Sequence, residues 1–217
     1  IKYPETGFNY SKIINYGVKN CDGEYIVQLN NDTKIQTEDW LEDMLGFASR
    51  EDVGAVGVKL FYPDNTIQHA GIVFGVDRVA THLFRGLPRH FHGYFAREST
   101  IQDFSAVTAA CMMSKRTIYE EVGYMDEDMP VAFNDLDFCL KIRKIGKLIV
   151  YDPFVNVIHY ESKTRGYEDT PEKVARFEAE ITKFQNKWRD IYENGDPYYN
   201  KNFSINSCNY DIRKYED

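Results

Sequence analysis

No Cys-x-x-Cys pair, no long apolar run and no glycine-rich phosphate loop occur in this chain of 217 residues. The four cysteines (Cys21, Cys111, Cys139, Cys208) lie far apart. That spacing excludes a zinc ribbon or a disulfide framework and suits free thiols in a reducing compartment. No apolar stretch reaches the ~20 residues of a membrane span, and no leader pattern opens the chain. Positive charge is in short supply: 26 Lys and Arg against 34 Asp and Glu leave a net −8. Such a balance argues against a nucleic-acid partner held through its phosphates. An initial methionine is missing too. The chain opens at Ile1 and enters a helix-like stretch almost at once, so it reads as a piece cut from something longer. Aromatics are abundant, with 16 Tyr and 14 Phe. They line sugar sites in some proteins and fill plain cores in more of them.

What is present is globular: 43% hydrophobic and 28% charged residues, enough for one domain with a real core. Asn9 to Asn20 reads as a short helix and Glu24–Leu29 as a strand. A second helix, opened by Thr37-Glu38-Asp39, carries Trp40, Leu41, Met44, Leu45 and Ala48 at 3–4 spacing. Strands over Val53–Tyr62 and Ile67–Phe74, joined by Pro63-Asp64-Asn65-Thr66, predict a hairpin. From Gly75 to Thr100 the pattern fades, leaving His82, Arg85, Arg89, His90, His92 and Arg97 among glycines and aromatics. Loops of that length in a compact domain are functional or disordered. A buried strand is expected over Ala106–Ser114, helices over Arg116–Val122 and Asn134–Ile145, and strands over Leu148–Tyr151 and Val155–His159. Thr170 caps a long helix with Pro171 at its first position and the stripe Val174, Phe177, Ile181, Phe184, Trp188, Ile191. The tail from Gly195 is expected to wrap the surface. Strands alternating with helices make this an α/β chain.

Three runs gather polar donors at element ends. Asn30-Asn31-Asp32 follows an apolar strand directly. Ligands collect outside the carboxyl ends of strands in open α/β sheets, and a carboxylate there can hold a cation that in turn holds a phosphate. The same residues also make an ordinary turn. Asn134-Asp135-Leu136-Asp137 sits at a helix start, where the dipole favours acids as caps. Two residues apart, Asp135 and Asp137 point to different sides of the helix and are not expected to share one task. His159 closes a strand and precedes Glu161, Lys163, Arg165 and Gly166. It is either a hydrogen-bonded structural histidine or a ligand; neutral imidazole beside carboxylate and amide oxygens suits Mn²⁺ better than Ca²⁺. Lys163 and Arg165 can hold phosphate oxygens or stay solvated.

In order, the runs Asn30-Asn31-Asp32-Thr33, Thr108-Ala109-Ala110-Cys111, Tyr119-Glu120-Glu121-Val122-Gly123-Tyr124-Met125-Asp126, Phe133-Asn134-Asp135-Leu136-Asp137-Phe138-Cys139-Leu140-Lys141-Ile142-Arg143 and His159 with Arg165-Gly166 resemble family 2 inverting glycosyltransferases of the GT-A fold. The similarity extends from about Gly17 through the long helix. It implies a GT-A-like, Rossmann-related mixed sheet flanked by helices. It also implies roles. Asp32 and His159 hold a divalent cation, Mn²⁺ or Mg²⁺. Asn30 and Asn31 sit beside the donor diphosphate. Asp135 is the general base, and Arg165, in a His-x₅-Arg-Gly pattern, meets diphosphate or acceptor, with Lys163 and Asp137 as further donor or acceptor contacts. The reaction implied moves a sugar, with inversion, from a nucleotide-diphosphate sugar to a hydroxyl of a glycan or lipid-linked saccharide. A carboxylate ~3 Å from that hydroxyl takes its proton in the transition state.

The chain departs from the family pattern twice. Asn30 stands where a first aspartate is common, and the nucleotide-binding βαβ units that open the family's fold are lacking. Residues 1–194 are therefore expected to be the metal and acceptor half of a catalytic domain, weak or inactive alone, with 195–217 as a tail. The 77–100 segment is expected on the acceptor side. Bacterial cell-surface polysaccharide assembly is the usual setting, which implies a cytoplasmic protein, at most peripheral to the inner face of the membrane. Two other readings stand beside this one: a sugar-nucleotide nucleotidylyltransferase and a non-catalytic carbohydrate-binding remnant.

Overall fold

The computed structural model describes residues 2–161 and 170–214. Helix α1 (Tyr10–Lys19) starts where the Asn9 side chain accepts from the Lys12 N–H. Strand β1 (Tyr25–Leu29) runs into the turn at Asn30–Asp32, and the short β2 (Thr33–Ile35) leaves it. Helix α2 (Trp40–Ala48) leads to the fully buried β3 (Val53–Phe61). Short strands follow: β4 (Ile67–His69), β5 (Ile72–Phe74), β6 (Ala80–His82) and β7 (Gln102–Asp103). Then come β8 (Cys111–Lys115), α3 (Arg116–Glu121), α4 (Asn134–Lys144) and the 12-residue β9 (Leu148–His159). Two helices close the order, α5 (Pro171–Lys187) and α6 (Arg189–Asn194).

The main sheet runs β1-β8-β3-β9-β2, with β4 beside β3 and β7 beside β9. Among the described residues only β3 and β9 pair in parallel and the other ladders of the main sheet are antiparallel, so the sheet is mixed. Its two faces bury different layers. Val56, Val58 and Leu60 of β3 join the core covered by Met44 and Ala48 of α2. Ala55 and Phe61 join the larger core, which holds side chains of α1, α3, α4 and α5. Two glycines on β3 let that second layer come close. A Cβ on Gly54 would stand 2.2 Å from Ile142 of α4, and one on Gly57 would stand 2.4 Å from Val107. Glycine at these positions therefore sets how near the last turn of α4 and the Val107 segment lie to β3.

The structure differs from the sequence expectations at four places. The strand expected over Ile67–Phe74 is two. At Gly71, φ +97, the chain turns from β4, on the main sheet, to β5, which pairs with β6 in a separate ribbon. The Phe104 ring occupies the place a Cβ on Gly71 would need. The two strands expected over 148–159 are one. The Asp152 carboxylate accepts from the Phe154 N–H, and the strand continues beyond this bulge with a shifted register. The strand expected from Ala106 begins only at Cys111. The tail does not merely lie on the surface, because Asp196, Tyr199 and Tyr210 are buried. The Asp196 carboxylate accepts from the Phe74 N–H (2.7 Å), the Ser105 hydroxyl (2.7 Å) and the Tyr198 N–H (2.8 Å).

Candidate functional site

β2 lies antiparallel to the end of β9, with Thr33 opposite His159. This pairing joins the Asn30–Asp32 turn to the histidine. Nε2 of His159 stands 3.2 Å from Oδ1 of Asp32 and 3.2 Å from the Asn30 amide nitrogen. Nδ1 of the same ring faces Oε1 of Gln68 at 2.8 Å. The Gln68 amide nitrogen in turn donates to the His159 carbonyl (3.4 Å) and the Glu161 carboxylate (3.3 Å). With its amide so oriented, Gln68 must accept at Oε1. A proton on His159 Nδ1 matches that acceptor, and Nε2 is the ring nitrogen turned to Asn30 and Asp32.

A divalent cation fits these donors in part. Asp32 Oδ1 and His159 Nε2 are separated by about the ~3.0 Å edge of an octahedron with bonds of ~2.1 Å. Among the described residues no three His, Cys, Asp or Glu side chains converge on one point. The described residues thus offer two strong ligands, and amide, water or substrate oxygens can fill further positions.

The second corner is the start of α4. Phe133 takes a left-handed conformation (φ 61) and turns the chain into the helix. Asp135 then projects into the cleft. One of its oxygens accepts from the Ala109 N–H (3.2 Å) and the other from the Leu136 N–H (2.9 Å). The Thr108 hydroxyl is a further partner. Protein surrounds this carboxylate although it keeps partial contact with solvent at the cleft floor. Burial pushes its pKa above the ordinary carboxylate value, and the hydrogen bonds oppose that rise without cancelling it. No cation pairs with it among the described hydrogen bonds and ion pairs.

Both corners open on one cleft of about 930 Å³. Asn30, Asn31, Asp32, Asp135 and His159 all line it, so five of the eight residues singled out in the sequence come together. Asp137 does not. It is 0% exposed and faces away from the cleft. Its Oδ1 takes the Trp188 indole N–H (2.8 Å) and Lys187 Nζ (2.7 Å). The expected donor or acceptor contact is corrected on that ground: a carboxylate enclosed by α5 and Trp188 cannot meet a cleft ligand. Lys163 and Arg165 lie outside the described residues.

From the 77–100 segment, His82 and Arg85 reach the cleft wall. Its other basic residues that the structure pairs point elsewhere: Arg89 stacks on Phe61, His92 pairs with Glu98, and Arg97 lies over Tyr210. Four cleft residues carried no role in the sequence reading: Tyr10, Tyr62, Gln68 and Arg176. Of these, only Gln68 had a signal, as a polar residue inside an apolar strand. Arg85 is fixed by donating Nε to the Tyr62 hydroxyl at 3.0 Å.

Residues 1–123 match the family model described as glycosyl transferase family 2. The chain is 44% identical over 199 residues to the protein y4gI of Sinorhizobium fredii, covering 91% of this chain and 22% of that one. It is 32% identical over 211 residues to the O-antigen biosynthesis protein RfbC of Myxococcus xanthus, covering 97% of this chain and 16% of the relative. This chain thus spans about a fifth of the length of these relatives. Among solved structures it is similar to GalNAc-T7 with UDP, GalNAc and Mn²⁺ (TM-score 0.59, 11% identity, 85% of this chain and 37% of the other). It is also similar to the mannosyltransferase PcManGT of Pyrobaculum calidifontis in complex with GDP-Man and Mn²⁺ (TM-score 0.51, 16% identity, 82% and 43%). At these identities the likeness establishes the fold, that of the GT-A glycosyltransferases.

Proposed function

Because this chain belongs to glycosyl transferase family 2, we propose that its cleft transfers a sugar, with inversion, from a nucleotide-diphosphate sugar to a hydroxyl of a glycan or lipid-linked saccharide. The observation that carries this reading is a carboxylate on the floor of the cleft that backbone N–H groups hold and that pairs with no cation among the described ion pairs. Asp135 is held by backbone N–H groups, with each oxygen retaining lone-pair capacity. Its raised pKa makes it a stronger base than an exposed aspartate. It takes the proton of the acceptor hydroxyl as the new bond forms.

Asp32 and His159 would hold a Mn²⁺ or Mg²⁺ ion. When bound, that ion neutralises charge on the leaving diphosphate. Two similar folds were solved with Mn²⁺ and a nucleotide or nucleotide sugar, which supports this choice. Asn30 and Asn31, at the same corner, present side-chain amides toward the diphosphate. Arg165 and Lys163 remain candidates for diphosphate contact from the sequence pattern. His82 and Arg85 supply the acceptor-side wall. Relatedness to an O-antigen biosynthesis protein supports a polysaccharide acceptor of the cell surface. Among the described residues no helix is long and apolar enough to cross a membrane, and we place the reaction on the cytoplasmic side.

The test is Asp135→Asn in the full-length protein. Transfer is expected to be lost with nucleotide-sugar binding retained, and unchanged transfer would remove Asp135 from the role of base. The cation reading has its own test. Mn²⁺ should bind weakly alone and more tightly with a nucleoside diphosphate, because the described residues provide only two strong ligands. Tight binding without nucleotide would contradict it.

A further inference from the structure

We propose that Gln68 is a positioning residue for the cation corner. It holds a proton on Nδ1 and fixes the ring orientation of His159, so that Nε2 is the nitrogen left for a cation shared with Asp32. The proposal rests on the reading of Asp32 and His159 as cation ligands.

Three contacts make the clamp. Gln68 Oε1 accepts from His159 Nδ1 at 2.8 Å, and the Gln68 amide nitrogen donates to the His159 carbonyl at 3.4 Å and to Glu161 at 3.3 Å. The first contact selects the tautomer. The other two leave the amide no reason to flip, because a flipped amide would set its N–H groups against the Nδ1–H and its oxygen against a carbonyl and a carboxylate. Gln68 is itself 5% exposed and sits on β4, which is hydrogen-bonded to β3. Its backbone is therefore part of the main sheet rather than of a cleft loop. Partners of this kind orient metal-bound imidazoles, and losing one costs about 10–100-fold in metal affinity. The neighbouring His69 points the other way, with Nδ1 3.1 Å from Nδ1 of His82. The alternation of β4 thus gives Gln68 alone to the cleft.

The experiment compares the chain with its Gln68→Leu and Gln68→Glu variants. Two readouts are taken: the His159 tautomer by long-range ¹H–¹⁵N NMR, and the dissociation constant for Mn²⁺ alone by electron paramagnetic resonance. The wild type should show the Nδ1–H tautomer. Gln68→Leu should lose that preference and weaken Mn²⁺ by about 10-fold or more. Gln68→Glu keeps an acceptor for Nδ1–H and should keep the tautomer. A purely packing role would instead make the leucine variant, closer to glutamine in charge, the milder of the two. An unchanged tautomer in Gln68→Leu overturns the proposal, as does a changed tautomer with unchanged Mn²⁺ affinity. His159→Ala separates that result from a failure of the cation reading. If removing the ring leaves Mn²⁺ binding unaltered, His159 is not a ligand and the premise falls rather than the clamp.

Discussion

The two sides of α4 treat a carboxylate in opposite ways. Asp135 and Asp137 both lie in its first turn, where the helix dipole favours them equally. On the cleft side, Asp135 meets backbone N–H groups and a hydroxyl and no counter-ion among the described residues. On the other side, Asp137 meets Lys187, which also pairs with Asp126 at 2.8 Å, and the Trp188 indole. The element packed opposite decides the outcome. A carboxylate given a counter-ion is committed to joining α4 to α5. One denied a counter-ion keeps a raised pKa and stays available to a ligand.

Paired substitutions give the widest separation. Asp135→Asn should lower transfer by about 10²–10⁴-fold and should not lower the denaturation midpoint. Asp137→Asn should do the reverse, costing about 2 kcal/mol in a denaturant titration with transfer per folded molecule unchanged. If Asp137→Asn abolished transfer in a folded protein, the division between the two sides would be wrong.

How much of this could be seen in advance follows from where the physics is local. Asn9, Pro171 and the 3–4 stripes mark α1, α2 and α5, because caps and periodicity act within a few residues. The separation of Asp135 from Asp137 follows from helix geometry alone. Which of the two faces a cleft does not, since Lys187 and Trp188 lie 50 residues further on. The break at Gly71 depends on the ring of Phe104, and the burial of the tail depends on Ser105 and the Phe74 N–H. These are long-range contacts with no local signature. Gln68 shows locally only as a polar residue in an apolar strand; its meaning comes from His159, 91 positions away.

The pH dependence sharpens the comparison further. Asp135 is protonated and idle below its pKa, so transfer should fall on the acid side with a midpoint above the ordinary value of ~3.9. The stability sign is opposite. A raised folded pKa means that ionising Asp135 costs folding free energy. Its favourable contribution is complete below the unfolded value of ~3.9 and is lost as pH rises through the folded value. Thermal melts of wild type and Asp135→Asn across that window should therefore diverge as pH increases, with the aspartate form losing ground. Parallel curves would show that the carboxylate is not desolvated.

The tail supplies a smaller contrast. Asp196→Ala leaves the Phe74 and Tyr198 N–H groups and the Ser105 hydroxyl without their acceptor, and should cost about 1–3 kcal/mol in the same denaturant titration. A neutral result would mark residues 195–217 as separable from the rest. Smallest of all, Arg85→Gln should raise the acceptor KM by roughly 10-fold and leave donor hydrolysis unchanged. An effect confined to hydrolysis would move Arg85 off the acceptor wall.

The ladder between β2 and β9 has a temporal consequence. Asn30 and His159 touch across 129 positions, whereas the helices form from neighbours a few residues apart. Closing so wide a chain segment is entropically slow and is rewarded only once the strands between are in place. The corner that would grip a cation is therefore assembled late in folding, after the layers that support it. A half-folded chain would have its helices and no grip, and the arrival of cation affinity would time the last step of its folding.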